Sequence, residues 1–392
     1  MTSGNGNTAH SALNLAMVGG GEGAFIGAVH RKAAALDDQF RLVAGCFSSD
    51  AARSRAFGPS VGVDSSRAYG HWREMFAVEK GRVDAVSIVT PNHSHFEIAA
   101  EALRAGFDVI LDKPMVTTTA QARELAAIVR ESGRILAVTY NYTGYPMVKH
   151  AAALVRAGAL GTIRKVFVEY HQGWLATDLE STGMKQAAWR TDPARAGLGG
   201  AIGDIGSHAE NLLTTITGLR IEALRAELRS FVAGRKLDDD ATVLLRLAGP
   251  GTQAHGVLTA SQVCIGEKNN LSIRVYGSAG ALTWRQEDPD TLHVTQLDGT
   301  TRTLSRGSAE LDESAKRATR LPPGHPEGFL EAFANIYRGV AQAIHARRRG
   351  AAPEGLGAEF PTVEHGARGV AFIEAVVQSS RDGGVWVTPA IA

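Results

Sequence analysis

Asp204 and His208 stand four residues apart, behind the glycine cluster Gly199-Gly200-Ala201-Ile202-Gly203 and ahead of the apolar run Asn211-Leu212-Leu213-Thr214-Thr215-Ile216. The pattern predicts a tight loop that delivers the first turn of a helix. Residues four apart on a helix share a face, so both side chains should project together from its N-terminal end. An imidazole there sits near the positive pole of the helix dipole, which disfavours the imidazolium. A neutral ring is what a general base needs. The same residues also fit a plainer reading, with Asp204 as a helix cap and His208 as an ordinary half-buried histidine. From this stretch both readings stand.

A second group with chemical potential lies near the start of the chain. Leu13 to Val18 is a short apolar run that stops at Gly19-Gly20-Gly21-Glu22-Gly23, and a helical pattern through Ile26, Val29 and Ala33 follows. Strand, glycine turn and helix in that order make a nucleotide-binding unit, where glycines let the backbone approach a pyrophosphate at the helix N-terminus. Gly19 and Gly21 supply the first two glycines of GxGxxG. Position 24 is alanine and the next glycine is Gly27, so the loop carries extra residues. The second strand, Phe40 to Phe47, ends in Ser48-Ser49-Asp50 with Arg53 close behind. A serine and an arginine there suit a 2′-phosphate, since guanidinium binds phosphate oxygens bidentately. Asp50 either argues for NAD or caps the next helix. The balance favours NADP slightly over NAD.

The remaining elements must position these groups. Val83 to Val89 is a buried-strand pattern followed by Thr90-Pro91-Asn92-His93-Ser94-His95 and a helix through Ile98, Ala99, Leu103 and Ala105. Another strand, Phe107 to Leu111, runs into Asp112-Lys113-Pro114. Short apolar strands alternating with helices predict a parallel, doubly wound sheet. Lys113 taken by itself would be a solvated strand-end lysine. His93 and His95 do not share a helix face, so they imply no metal pair.

From about Val138 the pattern changes. Thr139-Tyr140-Asn141-Tyr142 reads as the close of a strand and Met147 to Ala157 as a helix. Strand-like runs recur at Ile163 to Tyr170, Ala223 to Phe231, Ala241 to Leu247, Ala254 to Gln262, Leu271 to Tyr276 and Ala281 to Trp284, which predicts an antiparallel sheet with one covered face. Thr300 to Pro323 reads as a long polar loop, and helices follow at Leu330 to Ile344 and Val363 to Gln378. Asn141, Tyr142, Gln172, Trp174 and Arg190 are candidates for a substrate pocket. Tryptophan faces pack against the apolar side of sugar rings, and Trp174 and Trp189 equally suit a core or an interface. The division expected is an extension over 1–12, a dinucleotide-binding domain over 13–138 and a substrate domain over 139–392.

The chain of 392 residues is long enough for two cores. Its 41 lysines and arginines balance 40 aspartates and glutamates, giving no electrostatic reason to expect nucleic acid or an anionic membrane as partner. A small neutral ligand fits better. Cys46 and Cys264 form neither a disulfide framework nor a zinc spacing, so no metal is implied and a reducing cytoplasm is the expected setting. Thr2 to Ser11 lacks the basic start and apolar centre of a signal peptide and suggests a disordered extension. No apolar run reaches the roughly 18 residues of a membrane-spanning helix.

Taken together, Lys113 before a proline, Thr90-Pro91-Asn92-His93-Ser94-His95 upstream and Gly200 to His208 downstream resemble the Gfo/Idh/MocA oxidoreductases. The likeness runs from about Leu13 to Trp386. It implies a Rossmann domain followed by a domain with a large, mostly antiparallel sheet, and oxidation or reduction of a hydroxyl or ketone on a sugar, sugar derivative or inositol. The family's Glu-Lys-Pro motif falls on Asp112, Lys113 and Pro114, with aspartate in place of glutamate and a peptide before the proline that is often cis. The resemblance implies a cofactor ribose and the reacting oxygen near Lys113, and the nicotinamide near Thr90, Pro91, Asn92 and His95. On that basis His208 is the acid/base, Asp204 orients it or binds a neighbouring hydroxyl, and Lys113 polarises the reacting oxygen. The wide sheet suggests a homodimer or homotetramer. Two alternatives share the scaffold, an NAD-dependent glycosidase working by oxidation and elimination, and a non-enzymatic sugar sensor.

Overall fold

The protein is described from a computed structural model covering residues 11–390, so the expected extension lies, up to residue 10, outside the described residues. The first half of the chain alternates β1 (Leu13–Gly19), α1 (Phe25–Ala35), β2 (Phe40–Cys46), α2 (Ala51–Ser60), α3 (Trp72–Glu79), β3 (Ala85–Val89), α4 (His95–Ala105), β4 (Asp108–Leu111), α5 (Thr119–Ser132) and β5 (Leu136–Val138). The five strands form one parallel sheet in the order β2-β1-β3-β4-β5. Every residue of β3 is buried, as a parallel strand covered on both faces requires. The order reverses between β1 and β3, whose carboxyl ends pair Gly19 with Val89. Ligands of such sheets bind in the crevice outside that switch point.

The second sheet follows α6 (Pro146–Arg156) and begins with β6 (Ile163–His171). Two short helices, α7 (Lys185–Arg190) and α8 (Pro193–Ala196), precede α9 (Ser207–Thr217). The sheet continues through β7 (Arg220–Arg229), β8 (Asp240–Gly249), β9 (Thr252–Ser261), β10 (Asn270–Gly277), β11 (Gly280–Arg285), β12 (Asp288–Gln296) and β13 (Thr301–Ser305). Its order is β13-β12-β11-β10-β6-β9-β8-β7, antiparallel throughout except where β6 runs parallel to β9. Along β8, Ala241, Val243, Leu245 and Leu247 are buried while Thr242, Leu244 and Arg246 are exposed, the period-2 pattern of a sheet covered on one face.

Two segments differ from the sequence expectation. Thr139 to Tyr142 does not close a strand; β5 stops at Val138 and Asn141–Gly144 is a 3-10 turn. Thr300 to Pro323 is no plain loop, for it contains β13 and α10 (Glu313–Ala318). In β13 only Leu304 is buried, as suits an edge strand whose polar residues hide the alternation that marks inner strands.

The last two helices tie the halves together. α11 (Phe329–Arg348) packs Phe333, Ile336, Tyr337, Val340 and Ile344 with Leu13, Leu15, Phe40 and Ile110 of the first sheet. α12 (Val363–Arg381) gives Val363, Ala367 and Val370 to the other face of that sheet, and Phe372, Ile373 and Val376 to the core beneath the second. Residues beyond 138 thus complete the first core. Among the described residues no helix is long and apolar enough to cross a membrane.

Candidate active site

A cleft of about 1800 Å³ runs between the two sheets, from the glycine loop to the second domain. That exceeds the roughly 300–1,000 Å³ of a single small-ligand site and has room for two ligands end to end. At its first end, Gly19 and Gly20 have φ of +83° and +68°, a region where only glycine is unstrained. A Cβ on Gly21 would lie 2.4 Å from the Phe47 carbonyl oxygen, and one on Gly27 would lie 2.4 Å from Gly20 Cα. Gly27 is therefore the glycine of close helix-strand packing, and the extra residues lengthen the loop without removing that contact. The loop is a cradle that side chains would fill, which suits a dinucleotide pyrophosphate at the start of α1. Ser48 and Arg53 line the same end of the cleft, and the Asp50 carboxylate accepts the Arg53 backbone N–H at 2.9 Å, serving as the cap of α2.

Deeper in, Lys113 leaves β4 through a cis Lys113–Pro114 peptide. Its Nζ donates to the Asp204 carbonyl oxygen and, at 2.9 Å, to Asp204 Oδ1. Arg190 Nε and Gln262 Nε2 donate to Asp204 Oδ2 at 3.1 and 2.9 Å. Burial alone would raise this carboxyl; the Lys113 ammonium and Arg190 guanidinium prevail and hold it well below the usual carboxylate range. Asp112 bends its own side chain back, Oδ1 accepting Lys113 N–H at 2.9 Å and the Thr139 hydroxyl at 3.0 Å.

The helix carrying Asp204 and His208 differs from the expected loop and first turn. Helical structure begins at Ala201, and residues Ile202–Gly206 form a π turn before α9. His208 thus lies in a later turn, away from the dipole's positive end. Burial and then the Lys113 ammonium, against the pull of Asp204, push its pKa well below normal. The ring stays neutral as expected, for a different reason. Nor does Asp204 orient the imidazole. Among the described residues the buried Nδ1 has no hydrogen-bond partner, and both Asp204 oxygens are taken by other donors. Aromatic rings pack around the imidazole instead, with Tyr142, Tyr140 and Tyr170 centroids at 4.7, 5.7 and 6.1 Å, the first two in T-shaped contact.

Around it runs a chain of polar contacts. Tyr142 and Tyr170 share a 2.5 Å hydroxyl contact, Tyr170 donates to Asn269 Oδ1 at 2.6 Å, and Gln172 Nε2 reaches the same oxygen at 2.8 Å. Trp174 Nε1 donates to Gln172 Oε1 at 2.9 Å. Arg190 lies 4.3 Å over the Trp189 ring and 6.0 Å from that of Trp174, in reach of cation–π attraction. Asn141 is buried with Nδ2 unpartnered among the described residues. All of these line the cleft.

The structure brings together Gly19, Gly21, Ser48, Arg53, Thr90, Pro91, Asn92, Asp112 and Lys113 from the first half with Asn141, Tyr142, Gln172, Trp174, Arg190, Asp204 and His208. Two expected cofactor residues are absent from the cleft wall. His95 is fully buried, its Nδ1 2.9 Å from the Pro114 carbonyl and its Nε2 2.8 Å from that of Thr90; it ties the loops that line the cleft. Pro114 lies beneath, lining a small separate void. Asn92 also does a second job, donating to the Ala196 carbonyl at 2.9 Å. Sequence reasoning missed Tyr140, Tyr170, Gln262 and Asn269. Tyr170 and Gln262 sit within predicted strands, but only the sheet's pairing decides what their side chains meet. Among the described residues no group of three or more His, Cys, Asp or Glu could hold a metal ion.

A doubly wound sheet with a glycine cradle at its switch point, facing a lysine, a carboxylate and a neutral histidine across a domain boundary, defines a dinucleotide-dependent oxidoreductase. Residues 13–140 match the oxidoreductase family with an NAD-binding Rossmann fold, and residues 148–283 match the GFO/IDH/MocA C-terminal domain. The chain is 36% identical over 381 residues to the uncharacterized oxidoreductase YfiI of Bacillus subtilis, covering 96% of each. It is similar to an inositol dehydrogenase homolog from Azotobacter vinelandii complexed with NADH and myo-inositol, at TM-score 0.89 and 36% identity over 96% of this chain and 98% of that one. An oxidoreductase from Sinorhizobium meliloti matches at TM-score 0.88 and 44% identity over 97% and 100%. The chain belongs to the Gfo/Idh/MocA family and is an NAD-binding dehydrogenase or reductase.

Proposed function

We propose that the protein transfers a hydride between NAD(H) and a secondary hydroxyl or ketone of a cyclic polyol, a sugar, sugar derivative or inositol. The observation that carries this reading is the meeting of Lys113 and His208, from opposite domains, in the cleft that begins at the glycine cradle. Myo-inositol in the Azotobacter vinelandii homolog supports a polyhydroxylated ring as the ligand class.

A bound nicotinamide would supply the hydride acceptor or donor for the carbinol carbon. His208 accepts the hydroxyl proton as the carbon–oxygen double bond forms, a task for which its neutral ring is suited. Lys113, fixed by Asp204, donates to the reacting oxygen and stabilises charge that develops there. Asp204 is the residue that aims the lysine. Gln172, Asn269 and the Trp174 face present hydroxyl partners and an apolar platform. In the reduction direction His208 returns the proton.

Ser48 and Arg53 at the adenosine end support acceptance of a 2′-phosphate, hence NADP as well as NAD, because Asp50 is engaged as a helix cap. Exposed Leu244 and Tyr276 on the second sheet support self-association through its open face. The test of the main reading is NADH absorbance with NAD and a panel of sugars and cyclitols. Substrate-dependent accumulation of NADH is expected. Release of an aglycone without net NADH would overturn it in favour of a glycosidase.

A further inference from the structure

The helical run bearing Asp204 and His208 has no cap of its own. Its first backbone donors go to Asp238 instead, whose carboxylate accepts Gly200 N–H at 2.6 Å and Ile202 N–H at 2.8 Å, and whose carbonyl accepts Ala201 N–H at 2.8 Å. Three consecutive donors at the start of the helix thus depend on one residue of the hairpin between β7 and β8. The contact is closed, for Asp238 is nearly buried and a Cβ on Gly200 would lie 2.1 Å from its carbonyl oxygen.

The same hairpin grips the cover of the cleft. Arg235 donates to both Glu180 oxygens at 2.8 and 2.9 Å and to the Leu175 carbonyl at 2.9 Å, and is itself held by Asp239 at 3.1 Å. The segment so held leads into α7, which carries Trp189 and Arg190. Asp204 meets Arg190 from one side and Lys113 from the other, so the place of the π turn decides both contacts.

We propose that Asp238 is a positioning residue for the reaction, holding the start of the helix so that Asp204 aims Lys113 and His208 stays sealed among its tyrosines. This rests on the acid/base roles given above to Lys113 and His208. A misplacement of about 1 Å in a reacting group can cost roughly 100-fold in rate, and among the described residues no other side chain accepts the N–H groups at the start of this helix.

The experiment compares wild type, Asp238→Asn and Gly200→Ala at pH 8. Asparagine keeps the shape but turns one acceptor oxygen into a donor that cannot accept a backbone N–H; the alanine wedges the same contact without changing charge. Measured are kcat, cofactor KM, NADH affinity by fluorescence, and the His208 imidazole titration by nitrogen-15 NMR, assigned with His208→Gln. Expected in both variants is a kcat loss of about 10- to 100-fold, with NADH affinity and cofactor KM within about twofold, and a His208 titration moved up towards its ordinary value near 6.5. The proposal is overturned if kcat and the His208 titration match wild type, or if NADH affinity falls in step with kcat. Should Asp238→Asn fail to fold, Gly200→Ala decides. If wild type turns over no polyol, the reaction assigned above fails while the His208 titration still reads the role of Asp238.

Discussion

Lys113 Nζ lies 2.9 Å from Asp204 Oδ1, joining the end of a Rossmann strand to the π turn of the second domain. The pair is partly buried, with side chains 14% and 17% exposed. Its carboxylate also takes Arg190 and Gln262, so the lysine is fixed in direction and the charge of the aspartate is compensated. His208 shares the helix and feels the same ammonium. One electrostatic arrangement thus fixes the direction of the lysine and keeps the imidazole unprotonated.

Replacing His208 by glutamine should lower kcat by about 10²- to 10⁴-fold, the usual worth of a positioned acid/base. NADH affinity, measured by fluorescence, should stay near wild type, because the glycine cradle is untouched. An active variant would remove His208 from the chemistry.

Lys113→Met should cost about 10²- to 10³-fold in kcat/KM, as loss of one preorganised donor to the reacting oxygen does. It should also raise the acid limb of the pH–rate profile less than expected for a free histidine, since burial is the first cause holding His208 neutral and Lys113 the second. Steady-state rates across pH 5 to 9 read both effects.

Arg53→Ala should weaken NADP binding by about 1.5–3 kcal/mol, the range for a hydrogen bond to a charged group, and leave NAD binding unchanged. Titration of both dinucleotides checks this. Equal NADP affinity in the variant would withdraw the phosphate role of Arg53.

Gly27→Ala forces a Cβ to 2.4 Å from Gly20 Cα. Overpacking of this kind costs about 1–3 kcal/mol and should show as a lower denaturation midpoint together with weaker NADH binding. A variant of unchanged stability and affinity would contradict the close packing of α1 on the glycine loop.

Glu210, buried on α9 and pushed up to about 7 by burial with Arg368 pulling the other way, should contribute stability that falls as pH rises from about 4.5 to about 7. The unfolded chain loses this proton near 4.5 while the folded one keeps it, so the folded state binds more protons in that window and deprotonation costs it roughly 3 kcal/mol above it. Urea titrations at pH 5 and pH 8 should therefore show Glu210→Gln gaining on wild type at the higher pH. A pH-independent difference would refute the assignment.

Much of the site was legible because chemistry forces residue types. A backbone that must approach a pyrophosphate needs glycine, so Gly19 and Gly21 stood out, and a strand ending in Lys113-Pro114 signalled a special lysine. Gly27 was seen only as a departure from the motif, since its purpose lies in a contact with Gly20 that spacing alone does not reveal. His95 read as a cofactor residue because its motif lines the nicotinamide loop, whereas its ring turns inward to two carbonyls. Thr300 to Pro323 read as a loop because an edge strand has little apolar alternation to display.

The sequence by itself determined the alternation of strands and helices and the glycine cradle, since these follow from local periodicity and from the backbone freedom of particular residues, and its resemblance to a family singled out Lys113, Asp204 and His208 as candidates for reaction. Only the tertiary structure decided that Asp204 serves Lys113 and not His208, that three tyrosines enclose the imidazole, and that Asp238 caps the helix beneath them. Those relations join residues from 36 to more than 90 positions apart, and no local pattern encodes contacts that exist only once the two sheets close on one another.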